Sequence, residues 1–213
     1  MDVYSSEEQQ VEAIKRFWKE YGITIVAGTI LGLGGLYGFR YYQGHQLAQA
    51  EQASTGFEQL LLAQEQQSAD WLQDAERYIE SNSKTAYATF AAMLKARDAV
   101  LAGDYNLAEQ QLSWVIAQTK DPVIDAIARL RLARVHLQQQ QYSQALALLQ
   151  NTFPASFTLQ QQELKGDIHL AQGDASAAKQ AYQLAKASDG AQANQLLKIK
   201  LDELAHVQTE GML

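Results

Sequence analysis

Histidines and carboxylates are the side chains of this sequence that could perform catalysis or bind a metal. The chain has four histidines and no cysteine, which excludes disulfides, thiolate chemistry and cysteine-type zinc sites. His136 and His169 occupy the same position of an internal repeat, which predicts helix packing rather than metal ligation. Neither an H-E-x-x-H motif nor a G-x-S-x-G elbow occurs, although a serine triad assembled from distant residues stays open. We therefore predict a non-enzymatic protein without cofactor or metal.

Three glycines near the N-terminus form a second pattern that could do chemistry. Gly32, Gly34 and Gly38 have G-x-G-x-x-x-G spacing, but a phosphate loop also needs a strand before it and a polar helix after it. Residues 21–39 are instead nineteen consecutive uncharged residues. A helix of that length rises about 28 Å, close to the roughly 30 Å of a bilayer core. The stretch predicts a transmembrane helix over residues 21–42.

The charges beside this span predict its orientation. Lys15, Arg16 and Lys19 precede it, whereas after Arg40 no lysine or arginine occurs until Arg77. Positive residues are retained on the cytoplasmic side, so the N-terminus is expected inside the cell. We predict a single-pass membrane protein with a cytoplasmic tail at residues 1–20 and a domain after residue 42 on the opposite side of the membrane.

A cleaved signal peptide is the main alternative to this anchor. Ala48-Gln49-Ala50 looks like a small-residue cleavage site. The apolar run is, however, longer than the roughly 7 to 15 residues of a signal core. The flank formed by Arg40, Tyr41 and Tyr42 is also typical of a membrane interface.

The glycines of the span predict a contact surface for another membrane helix. Gly28 and Gly32 form one four-residue track of small residues, and Gly34 and Gly38 form a second. Such tracks allow helix backbones to approach closely. The alternative is that these glycines are simply tolerated in lipid.

The remainder of the chain has helical periodicity. Residues 43–84 are predicted to form a helical stalk, and residues 85–188 contain a repeat. Three segments align without gaps, ARDAVLAGDYNLAEQQL from Ala96, ARVHLQQQQYSQALALL from Ala133 and GDIHLAQGDASAAKQAY from Gly166. Each segment begins with a small residue, has a second small residue twelve positions later, and has a large residue four positions after that. Two antiparallel helices require this pattern, because small residues are needed where their backbones come close and a large residue fills the next space. Residues 189–213 are predicted to be a capping helix and tail.

These small-residue positions and the G-D-Y turn resemble the tetratricopeptide repeat. The resemblance implies an all-α protein, with a single N-terminal transmembrane helix followed by a tetratricopeptide-like α-solenoid. Gly103 and Gly173 are predicted to end the first helices of their repeats, and Asp104 and Asp174 to cap the helices that follow. Asp121 is predicted to be the N-cap of the first helix of the second repeat.

In such a solenoid the first helices of successive repeats line a concave surface. The repeat alignment assigns apolar and basic residues to this surface. We therefore predict that it is a groove for a partner, because such a lining suits a peptide or a partner helix. The alternative is that its apolar members are core and its arginines merely solvated. The predicted groove residues are Phe90, Met93, Arg97, Ile127, Leu130, Arg134 and Gln138.

The net charge of −7 argues against nucleic acid as a partner, because the sequence has no basic stripe. No small-molecule substrate is expected either.

Three features together resemble the YfgM family of bacterial inner-membrane proteins. They are the run QVEAIKRFWKEYG at residues 10–22, the glycine-rich span ending in GFRYY, and the repeat segment GDYNLAEQQL. The resemblance implies a bacterial inner-membrane protein with a periplasmic C-terminal domain. It also implies association with the Sec translocon (SecYEG) and with PpiD, a membrane-anchored periplasmic chaperone. It also implies a link to envelope-stress signalling.

Three functions follow from this resemblance and the scaffold. The first is a membrane-anchored periplasmic scaffold that holds chaperone activity beside the translocon and assists export or folding of envelope proteins. The second is a direct holdase chaperone that binds unfolded chains in its own groove. The third is a stress-response regulator that acts through the cytoplasmic tail.

Overall fold

The computed structural model describes the backbone of residues 7–188 and 194–210, and the side chains of residues 10–188 and 194–204. Every regular element in these ranges is a helix, which confirms the predicted all-α fold. The remaining parts of the predicted N-terminal tail and C-terminal cap lie outside the described residues. In chain order the helices are α1 (Glu7–Glu65), α2 (Trp71–Ser81), α3 (Ala86–Leu101), α4 (Tyr105–Gln118), α5 (Pro122–Gln138), α6 (Tyr142–Leu148), α7 (Thr158–Ala171), α8 (Ala175–Lys186) and α9 (Gln195–Glu210), with a 3₁₀ turn (Ala155–Phe157) before α7.

Helix α1 contains the whole apolar stretch of residues 21–39. It runs from one compact unit, Met1–Gln52, into a second, Ala53–Leu213. Within the first unit the apolar side chains are open, with Ile23 85% and Leu31 75% exposed. A helix that is apolar on all sides requires a non-aqueous environment. Among the described residues, α1 alone is long and apolar enough to cross a membrane, a test that a signal sequence also passes.

The second unit begins with the end of α1, which packs against α2. Leu60 is 5% exposed and lies in one core cluster with Trp71 of α2. The Tyr78 hydroxyl donates a hydrogen bond to the Ala53 carbonyl at 2.5 Å. A Cβ on Gly56 would lie 2.9 Å from the Tyr78 ring, so glycine at this position permits the close approach. This packing joins the end of α1 to the solenoid.

Three helical hairpins, α3–α4, α5–α6 and α7–α8, form the predicted repeats. The aligned small and large residues are all almost completely excluded from solvent, and within each repeat they pack together. This burial confirms the repeat pattern. The buried residues are Ala96, Ala133 and Gly166 at the first position, Ala108, Ala145 and Ala178 at the second, and Leu112, Leu149 and Tyr182 at the third.

In two of the three repeats, the turn inside the hairpin consists of the predicted glycine followed by a capping aspartate. Gly103 and Gly173 have φ values of +79° and +83°, in the left-handed region that glycine adopts without strain. The Asp104 carboxylate accepts from the backbone N–H of Leu107 at 3.0 Å and caps α4. In the second repeat Gln140 takes the same left-handed conformation, with φ of +60°.

The second repeat also has an unusually short second helix. Helix α6 contains 7 residues, whereas α4 contains 14. The Asn151 side chain donates to the Leu148 carbonyl at 3.1 Å, and Gln161 of α7 donates to the Leu149 carbonyl at 2.7 Å. These side chains satisfy carbonyls that a longer helix would have satisfied internally. Pro154 follows and starts the 3₁₀ turn.

The last repeat is joined to α9 by a polar cluster. Lys200 Nζ donates to Glu163 at 2.9 Å and to Asp167 at 2.6 Å, and the Tyr182 hydroxyl donates to Asp167 at 2.7 Å. Burial alone would lower the pKa of Lys200, but its hydrogen bonds to the two carboxylates outweigh burial and raise that pKa. The cluster therefore fixes the predicted capping helix to the end of the solenoid.

Candidate partner cleft

A cleft of about 450 Å³ opens between the first two repeats. Its apolar floor comes from α3, α4 and α5, and includes Met93, Leu112 and Val135, each less than one-tenth exposed. Arginines surround this floor. The complete lining is Met93, Ala96, Arg97, Val100, Leu101, Tyr105, Leu112, Arg131, Arg134, Val135 and Gln138.

Four of the seven predicted groove residues lie together in this cleft. Met93 and Arg97 project from α3 and are one helical turn apart, which places them on one face. Arg134 and Gln138 have the same relation on α5. The repeat alignment therefore located the two walls of the cleft.

The other three predicted groove residues lie elsewhere. Phe90 is 42% exposed and faces Phe57, with 6.5 Å between ring centroids. Ile127 is half-buried against the core around α2 and α3. Leu130 is 4% exposed and packs in the core cluster that includes Leu164. Ile127 and Leu130 thus match the alternative in which they are core.

Several cleft residues were missed by reasoning from the first helices alone. Leu101 is 79% exposed at the end of α3, and Tyr105 belongs to a second helix. Arg131 lies one turn before Arg134 on α5 and points to the same cleft. The i, i+3 spacing of these two arginines was a signal for a shared face.

The arginines of the cleft differ in how they are paired. Arg97 Nε donates to Asp98 at 2.8 Å, and the other oxygen of Asp98 accepts from Gln64 at 3.1 Å. Within the described part of the chain, Arg131 and Arg134 have no ion pair. Their positive charges are available to a ligand in the cleft.

A buried lysine on α3 has a structural role instead. Lys95 is 5% exposed and donates to Glu76 of α2, which also accepts from Gln111 of α4 at 3.4 Å. A buried cation needs such a partner, because desolvation without one is costly. The ion pair joins α3 to α2, and the hydrogen bond from Gln111 joins α4 to α2.

The glycine tracks of the span are open surfaces. A Cβ built on Gly28, Gly32, Gly34 or Gly38 meets no atom within 4 Å. The tracks therefore present bare backbone on α1 at which another helix can pack closely.

Two of the four histidines lie within the packed helices of the repeats. His136 is 5% exposed, and its Nδ1 lies 2.6 Å from Oε1 of Gln141. His169, at the equivalent position, is half-buried. In the part of the chain that the structure describes, no three histidine or acidic side chains come together as a metal site.

Known proteins are similar to this chain in sequence over nearly its whole length. A family model described as a tetratricopeptide repeat-like domain matches residues 15–206. A Haemophilus influenzae protein named ancillary SecYEG translocon subunit is 38% identical over 93% of this chain and 97% of its own length. An Escherichia coli protein of that name is 32% identical over 96% of this chain and 100% of its own. No solved structure matches the chain significantly.

Proposed function

The chain belongs to the family of ancillary SecYEG translocon subunits, and from that premise we propose that it is a non-enzymatic scaffold associated with the SecYEG translocon. Its role would be to hold a periplasmic chaperone beside the translocon and so assist export or folding of envelope proteins. PpiD, which the YfgM-family resemblance implies, is the chaperone that we propose. The observation that carries this proposal is the near full-length similarity, which includes both the apolar helix and the solenoid.

The proposed location is the bacterial inner membrane, with one span at residues 21–42. Support comes from the exposed apolar surface of α1, where Ile23 and Leu31 would be unfavourable in water. Lys15, Arg16 and Lys19 lie before the span and favour a cytoplasmic N-terminus. The solenoid would then be periplasmic.

We assign the two surfaces to two partners. The open glycine tracks of α1 suit a translocon helix, because small residues allow close helix packing in lipid. The cleft between the first two repeats suits a segment of the periplasmic partner, because it combines an apolar floor with unpaired arginines.

Site-specific photo-crosslinking in intact membranes tests this assignment. A crosslinker at Gly32 should capture a membrane-embedded translocon subunit, and one at Gln138 should capture a periplasmic protein. Lys186 is exposed on α8, away from the cleft, and serves as the control position. Mass spectrometry of the products identifies each partner.

Two results would count against the assignment. If Gly32 and Lys186 give the same products, the span is only an anchor. If Gln138 captures no protein while Gly32 captures the translocon, translocon association stands but the cleft has no partner role.

A direct holdase is the second candidate, because the cleft floor is apolar enough to hold side chains of an unfolded protein. The test is whether a fragment containing residues 43–213 suppresses aggregation of a denatured model client without any partner. Suppression at stoichiometric concentration would favour the holdase, and its absence would favour the scaffold.

A further inference from the structure

We propose that the cleft selects an acidic amphipathic helix of its partner, with apolar side chains on one face and carboxylates beside them. This inference rests on the proposed function, since it specifies the chemistry of the segment that the cleft would bind. It follows from the floor, the rim and the charge of the surrounding protein.

The floor of the cleft requires apolar side chains from the ligand. Val100 is 38% exposed and Leu101 79% exposed, and both border a floor that contains Met93 and Leu112. Water over such a surface is released when an apolar side chain covers it, which is favourable. A volume of about 450 Å³ accommodates a few side chains rather than a folded domain.

The rim requires negative charge from the ligand. Arg97, Arg131 and Arg134 surround the floor, and no acidic side chain among the described residues lines the cleft. Asp98, beside the rim, is already engaged by Arg97 and Gln64. Guanidinium groups form charge-assisted, often bidentate hydrogen bonds with carboxylates.

The positive charge of the rim contrasts with the negative charge of the protein as a whole. The protein has a net charge of −7 and seven arginines, three of which meet at this one cleft. A cleft that served only to bury apolar surface would gain nothing from concentrating cations in an acidic protein. Carboxylates flanking an apolar stripe complement both the rim and the floor.

A helix presents these two features together. Apolar residues spaced three and four apart form one stripe, and acidic residues at neighbouring positions lie on both of its flanks. The walls of the cleft are themselves helices, α3 and α5, so the ligand would lie between them as a helix in a groove.

Binding of designed peptides to the full-length protein in nanodiscs tests the proposal. The first probe is an 18-residue helix of about five turns with leucines on one face and glutamates beside them. A second replaces glutamate by glutamine, a third replaces it by lysine, and a fourth keeps the glutamates but replaces the leucines by serine. Fluorescence anisotropy measures each dissociation constant in low and high salt.

We expect the glutamate–leucine peptide to bind about fivefold tighter than the glutamine peptide, since two exposed ion pairs, to the unpaired Arg131 and Arg134, together contribute about that factor. The lysine and the serine peptides should bind more weakly still. High salt should remove most of the difference between glutamate and glutamine.

A charge-reversal variant locates this preference in the cleft. Arg97→Glu, Arg131→Glu and Arg134→Glu together should make the lysine peptide the tighter ligand. The matched control reverses Arg77, Lys120 and Lys186, which are exposed and outside the cleft lining, and should keep the preference for glutamate. Circular dichroism establishes that both variants are folded.

Three outcomes would overturn the inference. They are equal binding of the glutamate and glutamine peptides, an unchanged preference in the cleft variant, and binding of the serine peptide as tight as that of the leucine peptide. The last would indicate a general anion surface. Because the peptide titration contains no translocon, its failure leaves the crosslinking result at Gly32 unaffected and distinguishes this inference from the proposed function.

Discussion

Two facing residues in the third repeat, Gly166 and Tyr182, compensate for each other in size. The first repeat pairs Ala96 with Leu112, whereas the third pairs Gly166 with Tyr182. A Cβ on Gly166 would lie 2.2 Å from Cε1 of Tyr182. The larger aromatic ring therefore fits because the facing residue has no side chain.

We predict that Gly166→Ala destabilises the protein even though alanine favours helices. The added methyl overpacks a site with no free space, which costs about 1–3 kcal/mol of unfolding free energy. Chemical denaturation of the full chain, followed by circular dichroism, measures this loss.

The matched control is the same substitution beside a smaller neighbour. With Tyr182→Leu in place, Gly166→Ala should stabilise by up to about 1 kcal/mol, because the clash is gone and the helix propensity of alanine is retained. The same sign of effect in both backgrounds would show that the two residues are not coupled.

Among the secondary-structure elements, the turn of the second repeat departs from its two equivalents. Gln140 occupies the left-handed conformation that Gly103 and Gly173 adopt in the other repeats. A residue with a Cβ is disfavoured there by about 1–2 kcal/mol. This turn is therefore a strained point of an otherwise regular solenoid.

Gln140→Gly should accordingly stabilise the protein, by about 1 kcal/mol after the entropic cost of glycine is included. Gln144→Gly, at an exposed position within α6, is the control and should destabilise by a similar amount. Thermal unfolding of both variants decides the matter. A lower midpoint for Gln140→Gly would contradict the assignment of strain.

The elements were predictable where local chemistry determines them. Asp104, Asp121 and Asp174 cap helices as predicted, since an aspartate before a helical segment accepts backbone N–H groups within reach. The end of α6 at Leu148 could not be predicted from the sequence, because residues 145–149 are all alanine or leucine and favour a continuing helix. The carbonyls at this end accept hydrogen bonds from Asn151 and from Gln161, and Gln161 is distant in sequence.

The cleft was predictable in part for a related reason. Repeat alignment compares equivalent positions, and so it found Arg97 and Arg134 together. It passed over Arg131, because the equivalent residue of the first repeat is the apolar Leu94. It included Leu130 because alignment does not report which side of a helix is covered by the next one. Only packing in three dimensions separates these cases.

For the whole molecule, buried phenols predict a loss of stability in alkali. Burial, with a smaller contribution from nearby Tyr87, raises the pKa of Tyr78 to about 12. Burial, and then the hydrogen bond to Asp167, also raises the pKa of Tyr182. Both groups bind their protons more tightly in the folded than in the unfolded state.

The free energy of unfolding should therefore be fully retained below about pH 10, the ordinary pKa of tyrosine, and should fall as pH rises toward 12. Denaturation at a series of pH values measures this decline. Tyr78→Phe should make it shallower, since one of the two groups is removed. A pH-independent free energy between pH 10 and 12 would contradict the burial of these phenols.

The proposed topology makes a separate prediction for the whole chain. In spheroplasts, external protease should digest the solenoid of the wild-type protein and spare an N-terminal tag. Replacing Lys15, Arg16 and Lys19 by glutamine should lower the fraction of molecules in this orientation. Arg77→Gln, in α2 and outside the segments that flank the span in sequence, is the control. Protection of the solenoid in the wild-type protein would reverse the proposed orientation.

The short helix α6 has a consequence for how the solenoid opens. In a repeat array each unit is stabilised mainly by its neighbours, so a weak unit divides the cooperative folding of the whole. With 7 residues and Ala145 as its buried side chain, α6 offers little to hold the adjoining hairpins together. Amide hydrogen exchange should therefore be fastest in α6, with one foldon before it and another after it.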